Sequence, residues 1–357
     1  MKRIVETFIT LVKIDSPTGY ETGMANFLVN YFTKRNLRVE KDAFHNVFVK
    51  VPGMGKPIFL SAHMDTVEPG KGITPQIKNG NIISDGTTIV GADNKSTIAV
   101  FLELLERLRE EKISHRPIEL LFTVKEEAGT FGAKQFDFTK LEATEGIISD
   151  VSIPVGQIIT SSPAYLGFDI DITGKAHHAS HAAFDEKAHN LFLVLHTVLS
   201  QIPVGKLDEQ TICNIGVIQA GTVRNTIPGN AKLHGEIRSF DKTLIMKYFK
   251  NILAICKKTC QTYNLKLENT YTMENDAYVF SEDDLFLQKI AKVFSVQHIK
   301  STYMKRWSCS DANIFNTKGL QVVNIGDGTE KTHTIEESIK ISKMEKLVEF
   351  FYQFITK

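Results

Sequence analysis

Apolar positions at the start of the chain recur with helical spacing. Val5 to Val12 is one such stretch and Gly23 to Arg35 a second, where Met24, Phe27, Leu28, Tyr31 and Phe32 fall on one face and predict an amphipathic helix. Ser16-Pro17-Thr18-Gly19 between them reads as a turn. The pattern then shifts to short apolar runs: Asn46 to Val51, Ile58 to Ala62, and a hairpin in which Gln76-Ile77 and Ile82-Ile83 flank Asn79-Gly80. A long amphipathic helix is expected over Asn94 to Lys112. It is followed by the largely apolar run Ile118 to Val124, as expected of a buried parallel strand. Helices alternating with buried strands predict an α/β sheet covered on both faces.

From about Tyr165 strict alternation takes over, in Phe168 to Ile172 and in parts of Thr211 to Ile218 and Lys232 to Ser239. Two helical stretches, about Glu186 to Gln201 and Leu244 to Thr262, separate these strands. The order β-α-β-β-α-β suits an antiparallel sheet with helices on one face, a second domain inserted into the first. The remainder returns to helix, buried strand (Gln321 to Ile325) and helix. The expected organisation is a discontinuous α/β domain of 1–164 and 275–357, interrupted by an α+β domain of 165–274.

Composition narrows the function. The chain has 357 residues with 42 Lys+Arg against 41 Asp+Glu, a formal charge of +1, and no basic block. A binder of nucleic acid that works by neutralising phosphates needs clustered cations, so that class is excluded. No apolar run reaches the ~20 residues of a membrane helix. The N-terminus, with Glu6 and no small-residue cleavage site, does not read as a secretory signal. Four cysteines, at 213, 256, 260 and 309, are too few for a disulfide framework and suit free thiols in the cytoplasm.

Candidate chemistry sits at strand ends. His63, in Ser61-Ala62-His63-Met64-Asp65, follows the run from Ile58, where α/β sheets bind ligands. Asp65 stands where a carboxylate can take the other imidazole N–H. Asp93, in Gly91-Ala92-Asp93-Asn94-Lys95, either caps the long helix or serves a site. Glu126 and Glu127 follow a buried strand and read as a ligand position or as a solvated loop. Asp150 and His333 each follow a further apolar run. Two imidazoles and three carboxylates suit zinc or another first-row divalent ion. With one carboxylate shared, His63, Asp93, Glu127, Asp150 and His333 would serve two metals with positions open for water, and Glu126 would be free as general base.

These segments, with Gly174-Lys175-Ala176-His177-His178-Ala179, Asn225-Thr226-Ile227-Pro228, Gly235-Glu236-Ile237-Arg238-Ser239, Ser310-Asp311-Ala312-Asn313 and His333-Thr334, resemble the di-zinc metallopeptidase family of peptidase T, carboxypeptidase G and the aminoacylases. The resemblance runs through nearly the whole chain in the family's order. It implies a zinc-exopeptidase-type mixed sheet covered by helices, with an inserted α+β lid. It implies that Asp93 bridges two metals, His63 and Asp150 completing one site and Glu127 and His333 the other. Glu126 is then the general base and Asp65 the carboxylate that orients His63.

The family also has a non-proline cis peptide after the bridging Asp, here Asp93-Asn94. His178, Asn225 and Arg238 correspond to its substrate-binding or oxyanion-stabilising residues, with His177 and His181 one small slip of register away. Asp at 150, rather than Glu, points to the peptidase T-like branch and to hydrolysis of short peptides. Removal of an acyl group from an amino acid and a non-catalytic relative that keeps the fold are the alternatives. The expected cofactors are two divalent ions, Zn before Co or Mn, and the expected assembly a homodimer through the lid. One departure stands out. The family has a small pair before Ser/Thr-Asp-Ala, whereas this chain has Trp307-Ser308-Cys309.

Overall fold

The computed structural model describes residues 2–184 and 189–356. By its internal contacts the chain divides into two compact units, one of residues 1–160, 280–306 and 310–357, the other of 161–279 and 307–309.

The first unit is built on a mixed sheet. Its centre holds four parallel strands in the order Ile118–Thr123, Ile58–His63, Glu145–Ser149, Gln321–Ile325. Antiparallel strands extend it, Val47–Val51 and Arg38–Lys41 on one side and Gln157–Ser162 on the other. Every residue of Ile58–His63 and Ile118–Thr123 is buried, which explains why both read as mainly apolar runs, with Ser61, His63 and Glu119 as buried polar residues within them. Leu60 and Ala62 join a core with the helices Arg3–Val12, Ala92–Glu111 and Ile341–Thr356, where Phe101 meets Phe351 edge-on at 5.1 Å. Phe59 points to the other face and packs on Phe315 of the helix Asp311–Thr317, ring centroids 4.8 Å apart. Glycine at 146 lets the neighbouring strand approach, because a β-carbon there would lie 2.8 Å from the Phe59 ring.

A smaller sheet joins Thr329–Glu330, Ser338–Lys340, Asn81–Ile83 and Gln76–Lys78 in that order. The Asn79-Gly80 hairpin foreseen from the sequence thus pairs through Asn81–Ile83 with Ser338–Lys340, which in turn pairs with Thr329–Glu330 on the other side of His333 in the chain.

The second unit is an antiparallel sheet in the order Gly205–Lys206, Thr211–Ala220, Asn230–Ser239, Ala164–Thr173, Lys266–Asn275. Leu166, Phe168, Ile170 and Ile172 alternate onto one face and bury against the helices Leu191–Leu199 and Lys242–Thr262. The strands and helices follow the foreseen order, with short additional strands at 177–178, 205–206 and 226–227.

Two boundaries differ from expectation. The helix placed from about Glu186 runs over Leu191–Leu199, because the Asn190 side chain accepts the Phe192 N–H at 3.0 Å and caps it there. Residues 186–188 lie outside the described residues. The long helix spans Ala92–Glu111, with Gly91 as its N-cap and non-helical backbone at Asp93 and Asn94. Asp93 therefore does not cap it. The described residues contain no helix long and apolar enough to cross a membrane. All four cysteines are free thiols.

Candidate active site

The four parallel strands end together. His63 is the last residue of Ile58–His63 and lies beside Thr123, Ser149 ends its strand beside Ile325, and the polar residues after these ends share one edge of the sheet. His63, Asp93 and Asp150 form one group of donor atoms, and Asp93, Glu127 and His333 a second, with all donor atoms in each group within 4.8 Å of one another. His63 Nε2 is 3.1 Å from Asp93 Oδ1 and 3.3 Å from Asp150 Oδ1. His333 Nε2 is 3.4 Å from Asp93 Oδ2 and 2.9 Å from Glu127 Oε1. Asp93 thus offers one oxygen to each group. The peptide between Asp93 and Asn94 is cis.

Asp65 is fully buried and does more than face a histidine. Its carboxylate is 3.4 Å from His63 Nδ1, whereas its backbone carbonyl is at 2.9 Å. The same carboxylate accepts the N–H groups of Glu126 at 2.9 Å and Glu127 at 3.2 Å and the Thr18 hydroxyl at 2.9 Å. Both the backbone carbonyl and the side chain of Asp65 thus face His63 Nδ1, and the side chain also fixes the acidic loop.

Electrostatics follow from packing many acids into little solvent. Burial, reinforced by Asp150, raises Glu126 well above the usual carboxylate range. Burial likewise raises Asp150 to about 6 and Asp311 to about 7. Asp93 goes the other way, since its bonds to His333 and His63 outweigh burial and hold it below the usual range. Burial opposes charge on His63, but Asp150, Asp65 and Asp93 win and raise it.

Several buried groups here escaped the sequence reading. Glu337, 1% exposed, accepts the N–H of Gly91 at 2.7 Å and of Asp93 at 3.0 Å. These bonds take over the capping duty and leave the Asp93 carboxylate free. Asp311, quoted within a matching motif but given no role, accepts the Thr123 hydroxyl through Oδ2 at 2.6 Å while its buried Oδ1 has no partner among the described residues. Asp327 is buried beside this edge with one oxygen unpartnered among the described residues, and burial raises it strongly.

The remaining candidates belong to the second unit. His178 is exposed in the short strand His177–His178, its Nδ1 2.9 Å from the Ser180 hydroxyl, and the rings of His177 and His181 are 5.6 Å apart. Asn225 is exposed, and its carbonyl accepts the Ala179 N–H at 2.9 Å. Arg238 is engaged already. Its guanidinium bonds both Glu236 oxygens at 3.0 and 3.1 Å, donates to the Trp307 carbonyl at 3.0 Å, and lies 4.8 Å from the Tyr165 ring centre. The Trp307-Ser308-Cys309 departure thus packs against the sheet that carries Arg238.

Residues 59–357 match the family model described as Peptidase family M20/M25/M40. The chain belongs to this peptidase family. The structure of a tripeptidase from Staphylococcus aureus is similar, with a TM-score of 0.95 and 29% identity over 99% of this chain and 97% of that one. Aminopeptidase PepT from Bacillus cereus gives a TM-score of 0.92 at the same identity and coverage. YqjE of Bacillus subtilis is 29% identical over 99% of this chain and 98% of its own length. As a family M20 member, the chain is a metal-dependent peptidase.

Proposed function

We propose that the chain hydrolyses short peptides as a tripeptidase-type exopeptidase with a two-metal centre. The observation that carries this is the sharing of Asp93 between two donor groups, with Glu126 adjacent, in a third group of donor atoms with His63 and Glu127. The donors fit divalent first-row ions such as zinc: each group combines imidazole with carboxylate, and the acids packed there have positive charge to gain. His63, Asp93 and Asp150 would hold one ion, and Asp93, Glu127 and His333 the other. Such ions, when bound, supply an acidified water and a Lewis acid for the scissile carbonyl.

Glu126 then accepts the proton of the attacking water and passes it to the leaving amine. Its elevated proton affinity suits a group that must both take and give a proton. Asp65 holds the backbone of Glu126 and Glu127, so base and ligand move as one piece. We assign substrate contacts to His178, Asn225 and Arg238, of which His178 would stabilise the oxyanion. Removal of an acyl group from amino acids is not favoured, since the two structures at 29% identity are a tripeptidase and an aminopeptidase.

Substituting Glu126→Gln is expected to lower kcat by roughly 10²–10⁴-fold while metal content stays at the parental level. The assay is hydrolysis of a panel of di- and tripeptides beside N-acyl amino acids, with metal measured by atomic emission. Parental turnover by the variant would refute the base assignment, and hydrolysis of N-acyl amino acids alone would refute the peptide specificity.

A further inference from the structure

Among the buried acids that this chemistry does not use, Glu21 touches the catalytic loop itself. It stands at the start of the helix Thr22–Thr33 and is 4% exposed. Its Oε1 accepts two backbone N–H groups, that of Gly19 at 2.8 Å and that of Lys125 at 3.1 Å. Lys125 directly precedes Glu126 and has φ of 52°, in the left-handed region that a β-carbon disfavours. Three successive N–H groups, at 125, 126 and 127, are therefore each held by a buried carboxylate, the first by Glu21 and the next two by Asp65.

The return side of the loop is equally constrained. Thr130 N–H bonds the Glu126 carbonyl at 2.8 Å, Phe131 N–H that of Lys125 at 3.1 Å, and Gly132 N–H that of Val124 at 2.9 Å. A β-carbon at Gly132 would lie 2.4 Å from the Val124 oxygen. The Asn46 side chain closes the base of the turn, accepting Val124 N–H at 3.1 Å and donating to the Gly132 carbonyl at 3.0 Å. Residues 124, 125 and 126 thus each have both N–H and carbonyl restrained, and at the strained Lys125 the restraint on the N–H is Glu21. Without that acceptor the N–H would be left unpaired, and relaxation of φ at Lys125 would turn the peptide that carries Glu126.

We infer that Glu21 is a positioning residue for Glu126, holding the peptide at Lys125 so that the base faces the reacting water. The inference rests on Glu126 being the general base. Displacing a catalytic group by about 1 Å can cost on the order of 10²-fold in rate. Loss of the Glu21 acceptor should therefore appear in kcat, with ligand residues and substrate contacts left in place.

The test compares Glu21→Ala, Glu21→Asp, Glu21→Gln and Glu126→Gln in the metal-loaded full chain with a tripeptide substrate. Glu21→Ala is expected to lose roughly 10–100-fold in kcat, with KM within about twofold of parental and metal content unchanged. Glu21→Gln keeps a carbonyl acceptor at the same reach and is expected to recover most of the rate. Glu21→Asp, one methylene shorter, should fall between the two. Parental kcat in Glu21→Ala overturns the inference, as does a loss matched by lost metal or one that Glu21→Gln fails to recover. If Glu21→Ala does not fold, the Asp and Gln variants decide: Gln faster than Asp supports it, and parental kcat in Asp overturns it. Should Glu126→Gln turn over at the parental rate, the premise itself fails. An inactive Glu126→Gln beside an unchanged Glu21→Ala overturns only the role of Glu21.

Discussion

At Asp93 side chain and backbone serve different partners. The carboxylate faces both imidazoles, while the N–H is bonded to Glu337, four residues beyond His333. Replacing Glu337 by Ala leaves the N–H groups of Gly91 and Asp93 without their acceptor, at a cost of about 1–3 kcal/mol. Metal affinity is then expected to fall about 10–100-fold, as for other groups that orient a ligand from behind. Calorimetric titration of the metal-free protein with zinc measures this, and parental affinity in a folded variant would refute it. Glu337 and Glu21 were illegible in the sequence for a shared reason. Both bond to backbone N–H groups, which leave no side-chain signature at the other end, and Glu337 sits in Ile335-Glu336-Glu337, where a charged turn is the ordinary reading. The residues that face one another through side chains, such as His63 and Asp150, were legible because an imidazole or carboxylate at the end of an apolar run is unusual.

The secondary-structure elements divide along similar lines. Ile58–His63 and Ile118–Thr123 could be read because burial on both faces favours a mainly apolar run without polar alternation. Arg38–Lys41, Thr302–Lys305 and Thr329–Glu330 could not, because they span two to four residues, too few for periodicity to register. Element contact also fixes where small residues are obligatory. Gly146 lies in Glu145–Ser149, where a β-carbon would meet Phe59 at 2.8 Å and its carbonyl oxygen at 2.9 Å. Gly146→Val is expected to destabilise the protein by about 1–3 kcal/mol through overpacking. It should lower kcat as well, since it displaces the strand that leads into Asp150. Thermal unfolding and turnover check both, and an unchanged Tm would show that the two strands can part without penalty.

For the whole molecule, a formal charge of +1 conceals an acid-rich sheet edge. In the absence of cations, burial raises Asp150 to about 6, Asp311 to about 7 and Glu337 to about 7, and bonds to Asp93 and Glu127 raise His333 to about 10. Each group binds its proton more tightly folded than unfolded. Stability contributed by the three acids is present below their ordinary values and is lost as pH rises through the folded ones. The contribution of His333 is full below about 6.5 and is lost as pH rises through about 10. Both trends have one sign, so the Tm of chelator-treated protein should fall between about pH 6 and 8. Divalent ions, which bind the folded edge, should raise Tm and flatten that slope. A Tm of the metal-free form that climbs over this range in scanning calorimetry would contradict the assignment.

The path of the chain between its two units carries a consequence of its own. Residues 307–309 belong to the second unit although Arg306 and Ser310 belong to the first, so the polypeptide crosses between them four times, not twice. The extra crossing is secured by side chains: Arg238 on the Trp307 carbonyl, the Ser162 hydroxyl on the Ser308 carbonyl at 3.0 Å, and the Trp307 ring 4.7 Å from Phe240. A gene segment encoding 161–279 would therefore not be a transferable module. Grafted into another host or expressed alone, it would leave behind the three residues that cover Phe240 and satisfy Arg238. A graft of this unit has to carry a second, distant segment, residues 307–309, with it.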